Sequence, residues 1–393
     1  MMRNFRRIRQ SSVLAGFGLL LASSLFGQVN LYVPNYDNTP PDLSEFTINT
    51  GTGALTPVVG QATTTTDNNP WRVAMTPNNQ FLYVSNGNGY VDGFSVSPTG
   101  FLTPLTPAHY AVPGSFGIVA NNNYLYVTTA GTGNSVAVFS IAGNGTLTGP
   151  LTCAACSTGV GSNPRNIVLD PSNAHVYVGL GATNQIWVGT IVPSGAGAGT
   201  IGSSTVAYTG PGTFTPEDLA ITPNGLYLYA SNFTGNATVT AFTVSGTTVT
   251  LVNNYATDLL PNGLAIDPSG KYLYVATLIG MVDQFTVGAG GVLTPIGSGS
   301  IAAGSQPTGA TVEPTGHYLY VSNYADNTVG SYSIGGTGAL TSVNTVAAGT
   351  GPYYLLAHLV PSATVPASSG WSLAALGLLL AGLSGLLYRK AYR

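Results

Sequence analysis

Charge is what this sequence has least of: only 6% of its residues are Asp, Glu, Lys or Arg. Of ten Lys and Arg, four lie in the first nine residues and three in the last five. Residues 29–360 therefore keep only Arg72, Arg165 and Lys271 against all thirteen carboxylates, a formal charge of −10. Such a body has no clustered cations with which to displace the counterions of a polyphosphate, so nucleic acid is excluded as a partner. Histidine is nearly as scarce, with His109, His175, His317 and His358 scattered along the chain, and the two cysteines, Cys153 and Cys156, stand alone. No ligand set for zinc assembles from these, so no metal and no cofactor is expected. A helical apolar period is missing everywhere except at the two ends.

Repetition is what the sequence does have. Six times a proline precedes by thirteen residues the tyrosine of an L/V-Y-V/A triplet: Pro70 and Tyr83, Pro113 and Tyr126, Pro164 and Tyr177, Pro216 and Tyr229, Pro261 and Tyr274, Pro307 and Tyr320. Each unit reads as two short Val/Ile/Leu/Tyr-rich runs around a Pro-x-Gly/Asn break, because proline presets φ for a turn and Gly or Asn tolerates the φ that follows. A third alternating run follows, as at Val282, Gln284 and Thr286 against Asp283, Phe285 and Val287, and then a brief fourth run such as that at Leu102 or Leu293. Four antiparallel strands per unit predict an all-β chain of propeller blades.

The ends settle the number of blades. The triplet Leu31-Tyr32-Val33 is a seventh second strand with no first strand before it, and residues 351–358 look like a first strand with no second after it. Joining three N-terminal strands to one C-terminal strand completes a seventh blade and removes an unpaired sheet edge. The expected fold is a seven-bladed β-propeller spanning 29–360.

The LYVSN at 82–86 and 319–323 and the LYVTT at 125–129 resemble the YVTN-type β-propeller repeat family. Members look like secreted or surface-layer proteins, and they are similar to the seven-bladed lactonase group that includes 6-phosphogluconolactonase. The resemblance implies the fold far more than it implies a chemistry.

Residues 1–28 carry Arg3, Arg6, Arg7 and Arg9 and then an apolar stretch, the layout of a secretory signal. Residues 361–370, rich in Pro, Ser and Ala, read as a linker. Residues 371–393 combine an uncharged apolar run with Arg389, Lys390 and Arg393, which predicts a membrane-spanning helix with its basic end inside, and the segment also resembles bacterial C-terminal sorting signals. The expectation is an exported protein at the cell surface, in a periplasm or on the outer face of a membrane, with the membrane itself as a partner through the C-terminal helix.

The residues just after each blade proline should gather around one mouth of the central channel. They are Trp71 and Arg72, Gly114 and Ser115, Arg165 and Asn166, Glu217 and Asp218, Asn262 and Gly263, Thr308 and Gly309, Tyr353 and Tyr354. As a ligand site the candidates are Trp71, Arg72, Arg165, Asn262 and Tyr353, with Trp71 or Tyr353 as a stacking platform. As a lactonase site, Glu217 or Asp218 supplies the base and Arg165 or Arg72 the electrostatic partner. The same residues also read as an internal ion pair and polar plug that only fill the channel. A phosphorylated sugar, normally held by several Arg or Lys, fits two arginines poorly.

Cys153 and Cys156, between the third and fourth blades, read as a local disulfide or free thiols. The bland, cation-poor surface and the absent histidine constellation favour an exported propeller that binds or scaffolds a small molecule or a surface protein without catalysis. The alternative is a lactonase-like hydrolase of a neutral sugar lactone or another lactone at the channel mouth.

Overall fold

The computed structural model describes residues 28–360, apart from 59–63, 66, 132, 160–161 and 235–236. The signal expected over 1–28 (except Gln28), the linker and the tail at 371–393 lie outside the described residues. Among the described residues no helix is long and apolar enough to cross a membrane. This corrects the expected membrane partnership, which has no described helix to rest on.

Seven antiparallel sheets surround one channel, and six of them take their strands in chain order from the inside outward. Blade 2 shows the pattern: Pro70–Met75 is innermost, followed by Phe81–Asn86, Tyr90–Val96 and Leu102–Ala111. Blades 3 to 7 begin with the inner strands Ser115–Ala120, Pro164–Leu169, Pro216–Ile221, Pro261–Ile266 and Pro307–Val312. Blade 1 closes the ring as the sequence predicts. Leu356–Leu359 is its inner strand, and it pairs with Val29–Asn35 so that Tyr32 faces Leu356 and Leu31 faces Ala357. Asp42–Ile48 and Leu55–Pro57 complete that sheet, with Thr64–Thr65 added on Asp42–Ile48.

The repeated tyrosine explains why the blades hold together. All seven copies are essentially inaccessible to solvent. Each phenol donates to a glycine carbonyl in the next blade, for example Tyr83 to Gly145 at 2.6 Å, Tyr177 to Gly246 at 2.7 Å and Tyr274 to Gly338 at 2.8 Å. A buried hydroxyl with a partner contributes about 1 kcal/mol, and leaving either group unpaired costs more. The ring around each tyrosine is Val, Leu and Ile from two adjacent blades, so the core is distributed as seven inter-blade layers.

Three carboxylates that precede a turn proline bond within their own hairpins. Asp267 accepts from the backbone N–H of Lys271 and Tyr272, Glu313 from that of His317, and Asp170 from that of Ala174 and His175. Asp170 and Asp267 are Asx-type turn devices, and Glu313 fills the same place with a longer side chain.

The outer strands are longer than the brief fourth run suggests, reaching ten residues in Leu102–Ala111 and Leu293–Ala302. Most of their side chains face water, so no apolar alternation marks their length in the sequence.

Candidate functional site

The register of the inner strands decides which residues face the channel mouth. In blade 2, Pro70 lies opposite Asn86 and Arg72 opposite Ser85; in blade 5, Pro216 lies opposite Asn232 and Asp218 opposite Ser231. In blade 3 the equivalent of Asn86 is Thr129, and it is Ser115, not Pro113, that lies opposite it. The hairpin there is two residues shorter, pairing Ile118 with Val127 where blade 2 pairs Val73 with Val84. Blade 3 therefore presents Phe116 and Gly117 to the mouth, which corrects the expected Gly114 and Ser115. The thirteen-residue spacing of Pro113 is coincidental.

Two layers follow from this register. The deeper one is a plug. Arg72 reaches from blade 2 to blade 5 and places Nη1 3.0 Å from Asp218 Oδ1, with both side chains more than nine-tenths buried. Asp218 also accepts from Asn166 and from the backbone N–H of Leu219 and Leu264. The Arg72 guanidinium stacks 3.3 Å from the Tyr354 ring centre, and Tyr354 in turn donates to Asn262 Oδ1. Gly263 and Gly309 occupy the same depth. A Cβ on Gly263 would come within 2.7 Å of the Gly309 backbone, so the absent side chain lets two inner strands approach.

The shallower layer is open. Arg165 Nε lies 3.2 Å from Glu217 Oε2, linking adjacent blades 4 and 5, and the Arg165 side chain is 32% exposed. A cavity of about 120 Å³ opens beside the pair, lined by Arg165, Glu217, Gly181, Thr215 and Phe233. Burial pushes the Glu217 carboxyl above its ordinary value of 4.5, against the pull of Arg165 and Arg72. Arg165 also sits 5.0 Å from the centre of the Phe116 ring.

Next to this pair stands an aromatic wall. Trp71 packs 4.9 Å from Phe116, 5.0 Å from Tyr353 and 4.6 Å from Tyr36, and Tyr324 lies 6.0 Å from Tyr353. Burial raises the Tyr353 phenol, so it stays protonated.

The expected site residues thus divide. Trp71, Arg165, Glu217 and Tyr353 meet at the mouth, while Arg72, Asp218 and Asn262 are consumed in the plug beneath it. Cys153 and Cys156 form a disulfide and belong to neither layer. Phe116, Tyr36 and Tyr324 were not anticipated. The repeated N-Y-D-N and N-Y-A-D-N after the second strands of blades 1 and 7 is the one sequence signal for the two tyrosines.

Comparison with known proteins bears on what this mouth does. The model of the family described as lactonase, 7-bladed beta-propeller, matches residues 31–278 and 279–355. No curated protein sequence matches the chain. Among solved structures, the periplasmic gluconolactonase of Pseudomonas aeruginosa is 17% identical, with a TM-score of 0.71, covering 85% of this chain and all of that one. A Bacteroides fragilis protein provisionally assigned as a 6-phosphogluconolactonase is 21% identical, with a TM-score of 0.71, covering 84% of this chain and 98% of its own. A Lactobacillus plantarum protein is similar at 19% identity and a TM-score of 0.71, covering 84% and 99%. At these identities the structures establish the fold. The family match overturns the expectation of a non-catalytic binding or scaffold protein and favours the hydrolase alternative.

Proposed function

Since the chain belongs to the lactonase, 7-bladed beta-propeller family, we propose that it is a lactonase-type hydrolase acting on a neutral lactone at the channel mouth, with Glu217 as general base. The observation that carries this reading is the Arg165–Glu217 pair, which is held by an Nε–Oε2 contact and opens onto a cavity. Arg72 and Asp218, by contrast, are sealed from substrate by their own pairing.

In the proposed reaction Glu217 takes a proton from water while the water oxygen bonds to the lactone carbonyl carbon. The resulting oxyanion lies against the guanidinium of Arg165. Collapse breaks the bond from the carbonyl carbon to the ring oxygen, and that oxygen takes the proton back from Glu217, leaving the open hydroxy acid. Trp71 and Tyr353 supply an apolar face for the ring to lie on. One exposed arginine does not make a phosphate clamp, which favours a neutral lactone over a phosphorylated one. The linked Cys153 and Cys156 and the basic-then-apolar start of the chain support an exported enzyme.

The test is a panel of neutral sugar and aryl lactones assayed between about pH 6 and 8, where base-catalysed background is slow. Hydrolysis above the buffer rate, lowered at least about 100-fold by Glu217→Gln with unchanged thermal stability, is the expected result. A panel that is never turned over, or a Glu217→Gln variant as active as the parent, overturns the reading.

A further inference from the structure

Outward from the mouth, blade 2 holds a second group of titratable side chains. His109 Nδ1 lies 2.6 Å from Asp92 Oδ1 and 3.0 Å from Asp67 Oδ2, and ligand atoms from all three fall within 4.8 Å of one another. Asp92 is 1% exposed, whereas the His109 side chain is half exposed and gives access from solvent. His109 faces Asp92 directly across the outer strand pair, so both project from the same face of the sheet. Asp67 arrives from the loop before Pro70, its own N–H bonded to Asp92 Oδ2 at 2.8 Å.

The repeat supplies an internal comparison. Blade 6 builds the same acidic pair, with the N–H of Asp258 bonded to Asp283 Oδ2 at 2.9 Å, but Ser300 stands across from Asp283 where blade 2 has the imidazole. Asn86 lies next to the group by register, its Nδ2 donating to the Val84 and Tyr90 carbonyls. Val84 faces Asp92 and Asn86 faces Tyr90, so Asn86 and Asp92 are diagonal neighbours on one face. In blade 5 the equivalent Asn232 reaches across that diagonal, bonding Thr240 at 2.8 Å. Asn86 is wholly buried, and its Oδ1 has no hydrogen-bond partner among the described residues.

We propose that Asp67, Asp92 and His109 form a divalent metal site of the zinc or manganese type, with the Asn86 carbonyl oxygen beside it. Two carboxylates and one imidazole suit a borderline ion better than calcium, which takes oxygen alone; bonds of about 2.0–2.2 Å set ligand atoms roughly 3.0–3.6 Å apart, so an ion would replace the 2.6 Å His109–Asp92 hydrogen bond with two bonds of its own. A bound ion ties the loop that leads into Pro70 and Trp71 to the outer strands of the blade, which makes the site a support for the aromatic wall.

Calorimetric titration of the chelator-stripped full-length protein with zinc chloride tests this. One equivalent binding with a Kd of about 1 μM or tighter is expected, together with a raised melting temperature. Both effects should weaken at least about 100-fold in His109→Ser, which borrows the residue of blade 6, and in Asp92→Asn, and should persist in the blade 6 control Asp283→Asn. Absence of zinc binding, or binding that survives His109→Ser and Asp92→Asn, overturns the proposal.

Discussion

The phenol of Tyr320 in blade 7 donates to the carbonyl of Gly53 in blade 1 at 3.0 Å, joining residues that lie 267 positions apart. It is the same bond that Tyr274 makes to Gly338 one blade earlier, so closure of the ring uses the device that joins every other pair of blades. Tyr320→Phe leaves that carbonyl buried and unpaired, at a cost of about 1–2 kcal/mol, or a fall of about 1.5–3 °C in melting temperature. Tyr272→Phe, whose hydroxyl bonds Gly336 at an exposed site, should change it far less, since water replaces the partner. Equal losses in the two variants would contradict this account.

The two arginine–carboxylate pairs should differ sharply in what their loss costs the fold. Asp218→Ala strands the Arg72 guanidinium in the plug, and removal of one partner from a buried pair costs about 3–5 kcal/mol. Arg165→Ala, at a third-exposed position, should cost less than about 1 kcal/mol while lowering turnover of any lactone substrate. Denaturant unfolding of both variants checks the contrast.

Glu217 must be ionised to act as a base. Because burial raises its carboxyl above 4.5, the acid limb of log(kcat/KM) against pH should fall above the ordinary glutamate range. Removing the Arg165 charge with Arg165→Met should move that limb further up, since the cation favours the ionised form. A limb at or below 4.5, or one that Arg165→Met leaves in place, would argue for another base.

Asp283 provides a stability signature independent of the mouth. Burial, with Asp258 nearby, pushes its carboxyl up to about 7. Between about pH 4 and 7 the unfolded chain has lost this proton and the native chain keeps it, so the contribution to stability declines as pH rises through that window and is level above it. Asp283→Asn removes the decline. Its melting temperature should match the parent near pH 4 and exceed it at pH 8, and parallel curves for the two proteins would contradict the assignment.

Local chemistry made the blade legible. Proline at a turn, alternation in the strands and a tyrosine at one place in each second strand are properties of a few neighbouring residues, and the two incomplete ends could be matched because each lacked what the other had. Trp71, Arg165, Glu217 and Tyr353 were within reach of the same alignment, since one residue after a blade proline is one place in every inner strand. The alignment failed at blade 3. A hairpin shorter by two residues shifts the inner strand while the proline spacing stays the same, and this brought Phe116 into the position that Trp71 holds in blade 2.

By itself the sequence determined the class of fold, the blade count and the closure, because these follow from strand period and from the need to pair every edge. Only the tertiary structure decided which charges face solvent. Arg72 and Arg165 are equally cationic on paper, but the Asp218 opposite the first comes from a distant blade and the cavity beside the second is shared with the neighbouring one. Burial and electrostatic environment are properties of that assembly, so only the assembled ring could separate the plug from the mouth.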